Sequence, residues 1–271
     1  MLTNLRIAIV GAGTMGEAVI GGLLRAELIA PEQIVAATPR EERRLELAER
    51  WGIHTTADNR EATEWGDILL LAIKPQMVEH VVPPLRGALS PGNLVISVIA
   101  GTKIERLSTM LSHDAVVRSM PNTPAKIAEG MTVWTASPAV DEIRKGWTRT
   151  VLGALGRELE VEEEKLIDMA TALSGTGPAY IFLVMEALID AGVHMGFPRR
   201  IAEILVEQTV LGSVRYAMKS GRHVTELRNM VTSPGGTTAA ALYEMERGGL
   251  RTVMADGVWA AYRRAQELGE R

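Results

Sequence analysis

Two short segments carry the residue types from which an anion site can be built. The first, Gly11-Ala12-Gly13-Thr14-Met15-Gly16, follows the apolar run Ile7–Val10 and opens an amphipathic stretch. In that strand–turn–helix setting Gly11 permits the tight turn, Gly13 lets the backbone approach a pyrophosphate, and Gly16 lets helix and strand pack closely. The helix N-terminus then faces the anion, so a bound dinucleotide is implied, with Gly11, Gly13, Thr14, Met15 and Gly16 as its cradle. The second segment is Ser233-Pro234-Gly235-Gly236-Thr237-Thr238, ahead of the helical run Ala239 to Glu246. Hydroxyls and glycines at a helix start offer several free backbone N–H groups to one point, which suits a small carboxylate. Simple N-capping would need only one hydroxyl residue.

The choice of dinucleotide is read about 20 residues beyond the first loop, where an NAD site places Asp or Glu for the ribose hydroxyls. Here the second apolar run ends Ala36-Ala37-Thr38-Pro39-Arg40, with no acid. A 2′-phosphate would gain charge-assisted hydrogen bonds from Arg40 and Thr38. NADPH is therefore favoured, with NADH as the weaker alternative.

These loops need elements to hold them. From residue 5 to about 160, short β-branched runs (Arg6–Val10, Gln33–Ala37, Asp67–Ile73, Asn93–Val98, Ala115–Arg118) alternate with helix-like stretches. That alternation predicts an α/β fold: a Rossmann-type, doubly wound parallel sheet over residues 1–160. The runs at 68–73 and 94–99 are almost continuously apolar, as strands covered on both faces should be. After Glu160, Glu162, Glu163 and Glu164, expected as a solvated helix start, the pattern turns helical. Segments near 162–172, 178–194, 198–217, 223–230, 237–247 and 250–269 predict an all-α domain over 161–271. The helix from Ala179 is apolar nearly all round, which predicts burial in a subunit interface.

Composition narrows the function. Without Cys there is neither a disulfide framework nor a thiolate metal site, and a reducing cytoplasm fits. With 29 basic and 33 acidic residues mixed along the chain, no basic stripe is available for nucleic acid. No unbroken apolar run reaches the roughly 18–20 residues of a membrane span, so no membrane partner is expected. His54, His80, His113, His194 and His223 show no metal-ligand spacing, and no metal is expected. Glu186 and Asp190 lie four apart on one helical face, where separate partners such as His194 or Arg199 suit them better than an acid–base pairing.

The chain resembles the pyrroline-5-carboxylate reductases. The resemblance runs through Gly11 to Gly16, Ala72-Ile-Lys-Pro-Gln76, Val98-Ile-Ala-Gly101, Arg118-Ser-Met-Pro-Asn-Thr-Pro124, Ser174-Gly-Thr-Gly-Pro-Ala-Tyr180, Glu186 to Gly192, Gln208-Thr209 and Ser233 to Thr238. Thr176 stands where Ser is frequent and Thr237 where Ala is, and both keep the loop chemistry. The resemblance implies NADP(H), with Thr38, Arg40 and Asn59 beside its adenosine phosphate end and Ala72, Lys74, Pro75, Ala100 and Asn122 along the path to the nicotinamide. It implies an interlocked homodimer of the helical domains, often assembled into a ring of dimers. The substrate would lie between one subunit's dinucleotide domain and its partner's helices.

The reaction implied is hydride transfer from the nicotinamide to C5 of 1-pyrroline-5-carboxylate, giving L-proline. A protonated imine is already electrophilic, so the site must mainly orient and exclude water. Backbone N–H groups from Ser233, Gly235, Gly236, Thr237 and Thr238 are expected to hold the carboxylate, and the Thr238 hydroxyl the ring nitrogen. Lys74, just after an apolar strand, suits positive potential near the phosphates better than catalysis. A β-hydroxyacid dehydrogenase would need a Lys where Ile181 stands, since alcohol oxidation requires a group for the alcohol proton. A non-catalytic dinucleotide-binding relative would be expected to lack the Ser233–Thr238 loop.

Overall fold

The computed structural model describes Leu2 and residues 4–269. Contacts gather the chain into two compact units, Met1–Gly177 with Ala260–Arg271, and Pro178–Trp259.

The first unit alternates strands and helices: β1 (Ile7–Val10), α1 (Thr14–Arg25), β2 (Ile34–Ala37), α2 (Glu41–Trp51), β3 (His54–Thr56), α3 (Asn59–Trp65), β4 (Ile68–Leu71), α4 (Val78–Val81), β5 (Leu94–Ser97), α5 (Ile104–Leu111), β6 (Val116–Met120), β7 (Gly130–Ala136), α6 (Glu142–Gly153), β8 (Gly156–Glu160) and α7 (Lys165–Ala170). The strands form one sheet in the order β3-β2-β1-β4-β5-β6-β7-β8. β1 is flanked in parallel by β2 and β4, with Ile7 opposite both Ile34 and Ile68. Chain order therefore reverses direction between β1 and β4, the switch point of a doubly wound sheet.

Every residue of β1, β2, β4 and β5 is buried. Alternate residues feed opposite faces: Ile7, Ile9, Ile34, Ile68 and Leu70 enter one core, while Ala8, Val10, Val35, Leu69 and Leu71 enter the other. Both faces need apolar side chains, which accounts for runs without polar alternation. Each fully buried Ile or Leu contributes about 1.5–3 kcal/mol.

Three strands lie outside the sequence expectation. β3 is a short polar strand at one end of the sheet. β8, Gly-Arg-Glu-Leu-Glu, closes the other end with alternating part-buried and exposed residues. Neither has the apolar run that marks a covered strand. β7 runs antiparallel to β6, so the sheet is parallel in all its pairings but this one.

The glutamate cluster is a solvated helix start only in part: it leads into α7 and Glu162 and Glu163 are exposed, but Glu160 and Glu164 are tied down. Glu160 ends β8 and pairs with Lys145 and Arg149, each at 2.7 Å. Glu164 accepts the backbone N–H of Ile104 at 2.8 Å and a hydrogen bond from the buried Arg118 at 3.1 Å. Arg118 also pairs with Asp168. A desolvated guanidinium needs such partners, so these carboxylates tie α7 to the sheet. The sequence-based boundary at 160/161 falls at the end of β8. Packing adds α7, a π-helical turn at Thr171–Gly175 and the end of α12 to the sheet unit.

The second unit takes most of α8 (Gly177–His194), then α9 (Arg199–Ser220), α10 (Val224–Met230), α11 (Thr237–Arg247) and the first half of α12 (Leu250–Gly269). A Cβ on Gly192 would come within 3.1 Å of Ala202 Cβ, so small residues let α8 and α9 cross closely. Asp190 pairs with Arg199 at 2.9 Å, one of the two partners expected for it. Little else is covered. Gly192 is the one fully buried residue of α8 and Ala202 that of α9, whereas α10 and α11 bury none. Phe182 and Leu183 are 61% and 66% exposed. By length and composition alone, the helical stretch Lys165–His194 is apolar enough to cross a membrane, although no unbroken apolar run of that length occurs in it.

Candidate functional site

The loop after β1 has the geometry its glycines require. Gly11 takes φ of +98°, and a Cβ there would meet the carbonyl carbon and oxygen of Ala72 at 2.7 Å. Its N–H donates to Ala37 O at 3.1 Å, while Ala72 N–H donates to Val10 O at 2.9 Å. These bonds stitch the ends of β2, β1 and β4 together. A Cβ on Gly16 would overlap the Gly11 carbonyl oxygen, so α1 sits directly against the loop. Gly13 differs: a Cβ there meets no protein atom within 4 Å.

Gly13 is also the N-cap of α1 and supplies no capping side chain. The first helical bond is from Glu17 N–H to Gly13 O at 2.9 Å, and the N–H groups of Thr14, Met15 and Gly16 stand ahead of it. An uncapped N-terminus with open space where a side chain would be fits a diphosphate pressed against backbone.

At the end of β2, Thr38 is buried, its N–H donating to Thr56 O at 3.1 Å. Arg40 is the exposed N-cap of α2 and lines a cleft of about 360 Å³ with Gly13, Thr14, Arg43 and Lys126. Arg43 and Lys126 escaped the sequence reading. Arg43 lies within Arg40-Glu-Glu-Arg-Arg44, which reads as a surface helix, and Lys126 comes from the turn after β6.

The remaining expected cofactor residues follow the carboxyl ends of successive strands: Asn59 after β3, Ala72, Lys74 and Pro75 after β4, Ala100 after β5 and Asn122 after β6. In open α/β sheets that edge is where ligands bind. Asn59 opens α3 behind the Asp58 cap, whose carboxylate accepts from Arg60 N–H and Glu61 N–H. Lys74 is exposed. Asn122 is engaged already, donating from Nδ2 to Ser174 O at 3.1 Å and accepting at Oδ1 from Met131 N–H at 2.9 Å. Its amide thus braces the loop against the π-helical turn and β7.

In the second unit, Gly235 takes φ of +71° and Gly236 N–H donates to Ser233 O at 3.1 Å. A Cβ on Gly236 would overlap Ser233 Oγ. Gly236 is the N-cap of α11 and no side chain caps it. Ordinary Ser or Thr capping is therefore absent, and the N–H groups of Thr237, Thr238 and Ala239 precede the first helical bond, from Ala240 N–H to Gly236 O. Thr238 is partly buried, whereas Ser233, Gly235 and Thr237 are exposed. Among the described residues no group of three or more His, Asp or Glu side chains is placed to hold a metal ion.

Comparison with known proteins gives a consistent result. A family described as pyrroline-5-carboxylate reductase dimerisation matches residues 164–268. One described as NADP oxidoreductase, coenzyme F420-dependent, matches residues 6–101. The chain is similar to the pyrroline-5-carboxylate reductase of Synechocystis sp., 39% identical over 268 residues, 99% of this chain and 100% of the relative. It is 39% identical to that of Pseudomonas aeruginosa over 266 residues, 98% and 97% of the two chains. Among solved structures, pyrroline carboxylate reductase of Plasmodium falciparum with NADP bound matches with a TM-score of 0.91, at 32% identity over 98% of each chain.

Proposed function

The chain belongs to the pyrroline-5-carboxylate reductase family, and from that premise we propose how its residues divide the work of the reaction. The enzyme reduces 1-pyrroline-5-carboxylate to L-proline with NADPH, the last step of proline biosynthesis, and is a dimer through its helical domain.

NADPH supplies the hydride that reduces the imine carbon. The N–H groups of Thr14, Met15 and Gly16 hold its diphosphate, and Gly13 admits it to backbone distance. Thr38, Arg40 and Asn59 hold the adenosine phosphate end, and Ala72, Lys74, Pro75, Ala100 and Asn122 border the path toward the nicotinamide. The absence of an acid at the end of β2, with Arg40 in the same cleft as Gly13, supports NADPH over NADH.

The observation that carries the substrate assignment is the uncapped N-terminus of α11. A carboxylate suits it because no side chain among the described residues caps the donors there and the helix dipole adds to them. Backbone N–H groups between Ser233 and Thr238 clamp the substrate carboxylate. The protonated ring nitrogen donates to Thr238 Oγ1, which fixes the imine plane. No strong base is required, because the electrophile arrives protonated and the protein's task is orientation and exclusion of water.

The finer assembly is a ring of such dimers, and the compartment the cytoplasm, in keeping with the absence of Cys. Each substrate site would lie between one subunit's dinucleotide domain and its partner's helices. The β-hydroxyacid dehydrogenase alternative fails on Ile181, and a non-catalytic relative would not need the intact Ser233–Thr238 loop. The test is a spectrophotometric assay of the purified protein with pyrroline-5-carboxylate against a panel of 3-hydroxyacids. Imine-dependent loss of NADPH, faster than loss of NADH, is the expected outcome. Hydroxyacid-dependent reduction of NADP would overturn it.

A further inference from the structure

One guanidinium joins three elements around the glycine loop. Arg43, on α2, donates from Nε to the carbonyl of Ala12 at 3.0 Å. Its Nη2 donates to Glu17 at 2.5 Å, and its Nη1 pairs with Glu46 at 2.7 Å. The side chain is only 12% exposed. Glu17, in the first turn of α1, accepts two further hydrogen bonds, from Arg50 Nη1 at 3.0 Å and Trp51 Nε1 at 3.3 Å. Burial alone would raise the Glu17 carboxyl, but the hydrogen bonds from Arg43 and Trp51 and the charges of Arg43 and Arg50 hold it below the ordinary glutamate value. The group is therefore an anion at neutral pH, in the turn whose leading N–H groups are free.

That placement poses an electrostatic problem. Glu17 lines the same cleft as Gly13, Thr14 and Arg40. A carboxylate there suits the helix, since its dipole favours negative charge at the N-terminus, but it repels a second anion arriving at the same place. The carbonyl of Ala12, between the two cradle glycines, would repel one too if it turned toward the cleft. Arg43 answers both groups at once. The Arg40 side chain, by contrast, has no partner among the described residues that would take it out of the cleft.

We propose that Arg43 is a positioning residue for dinucleotide phosphate binding: it neutralises Glu17 and pins the Ala12 carbonyl, so that the N–H groups of the glycine loop and α1 face the anion without competition. The proposal rests on the dinucleotide reading given above. Because Arg43 acts through the loop common to both cofactors, its loss should weaken NADPH and NADH alike, whereas a residue holding the 2′-phosphate would act on NADPH alone.

The test is calorimetric titration of the full-length protein with NADPH and with NADH. The variants are Arg43→Gln, Arg43→Lys, Glu17→Gln and the double variant Glu17→Gln/Arg43→Gln, each checked by circular dichroism and thermal melting. Arg43→Gln is expected to weaken both dinucleotides by roughly tenfold, since Arg50 still pairs with Glu17 and only part of its charge is uncovered. The KM for cofactor should rise while kcat at saturation holds. The double variant should recover most of the affinity, because the exposed anion is gone. Arg43→Lys, which keeps the charge but not the fork to Ala12, should fall between. Undiminished binding in Arg43→Gln would overturn the inference, as would a loss confined to NADPH or a failure of Glu17→Gln to rescue. Wild-type protein that binds neither dinucleotide would sink the functional reading, and this inference with it.

Discussion

In the reading proposed above, Thr238 and Arg40 carry the two choices that a reductase of a cyclic imino acid has to make: which ring atom to hold, and which dinucleotide to admit. Thr238 is partly buried in the first turn of α11, where its hydroxyl is not consumed by capping. Thr238→Ala should leave the helix intact and lower kcat/KM for the imine by about ten- to hundredfold, the worth of one hydrogen bond to a charged group. Steady-state kinetics decide it, since unchanged kcat and KM would remove Thr238 from the chemistry. At Arg40 the substitution to Glu reverses the charge where a 2′-phosphate would lie. The NADPH:NADH ratio of kcat/KM should fall by roughly tenfold or more, with NADH use little altered. Unchanged selectivity would move that contact to another cation of the cleft, such as Lys126. Both positions could be proposed from the sequence because they sit beside backbone features with a fixed signature, a strand end and a glycine-rich helix start. Arg43 was not, because its role depends on Glu17 and Ala12, which are distant in sequence and meet only when α2 packs on α1.

At the level of elements, two glycines of one loop serve unlike purposes and should fail in unlike ways. Gly16 is pressed against the Gly11 carbonyl, so Gly16→Ala must separate α1 from the loop. Overpacking of that kind costs typically 1–3 kcal/mol, and a lowered melting temperature should accompany lost binding. Gly13 has open space on its Cβ side and an ordinary negative φ of −80°. Gly13→Ala should therefore melt close to wild type yet bind NADPH poorly, because the methyl group would occupy the space proposed for the diphosphate. Thermal melting paired with titration separates the two, and a Gly13→Ala protein that binds normally would contradict the cradle. The same distinction explains which strands could be read beforehand. β1, β2, β4 and β5 are covered on both faces and announce themselves as unbroken apolar runs. β3 and β8 end the sheet, are polar, and depend for their conformation on the neighbours they pair with. The carboxylates following β8 misled for a related reason: the charge of Glu164 is answered by Arg118, 46 residues earlier.

For the whole molecule, the helical unit is the part whose energetics do not close within one chain. Phe182, Leu183, Ile204, Leu205 and Met218 are exposed, while α8 and α9 fully bury only Gly192 and Ala202. So many exposed large apolar side chains on one helical unit suit an interaction surface, and the family matched over residues 164–268 is a dimerisation domain. The apolar helix was legible in the sequence, where it predicted a subunit interface; the side chains that would cover it were not, because they belong to another copy. Leu183→Glu makes the argument quantitative. At a truly solvent-facing position such a change stays within about 0.5 kcal/mol, and mass, melting temperature and activity would all be retained. If the partner covers Leu183, a carboxylate must be desolvated at each copy of the interface, which costs several kcal/mol. Light scattering should then show the dimer giving way to monomer, with a lower melting temperature and loss of imine reduction, because each copy is left with an uncovered helical face. NADPH binding should survive, since the cradle belongs to the sheet unit, with its own buried core. A fully active dimeric Leu183→Glu protein would place the interface on another face of the helices.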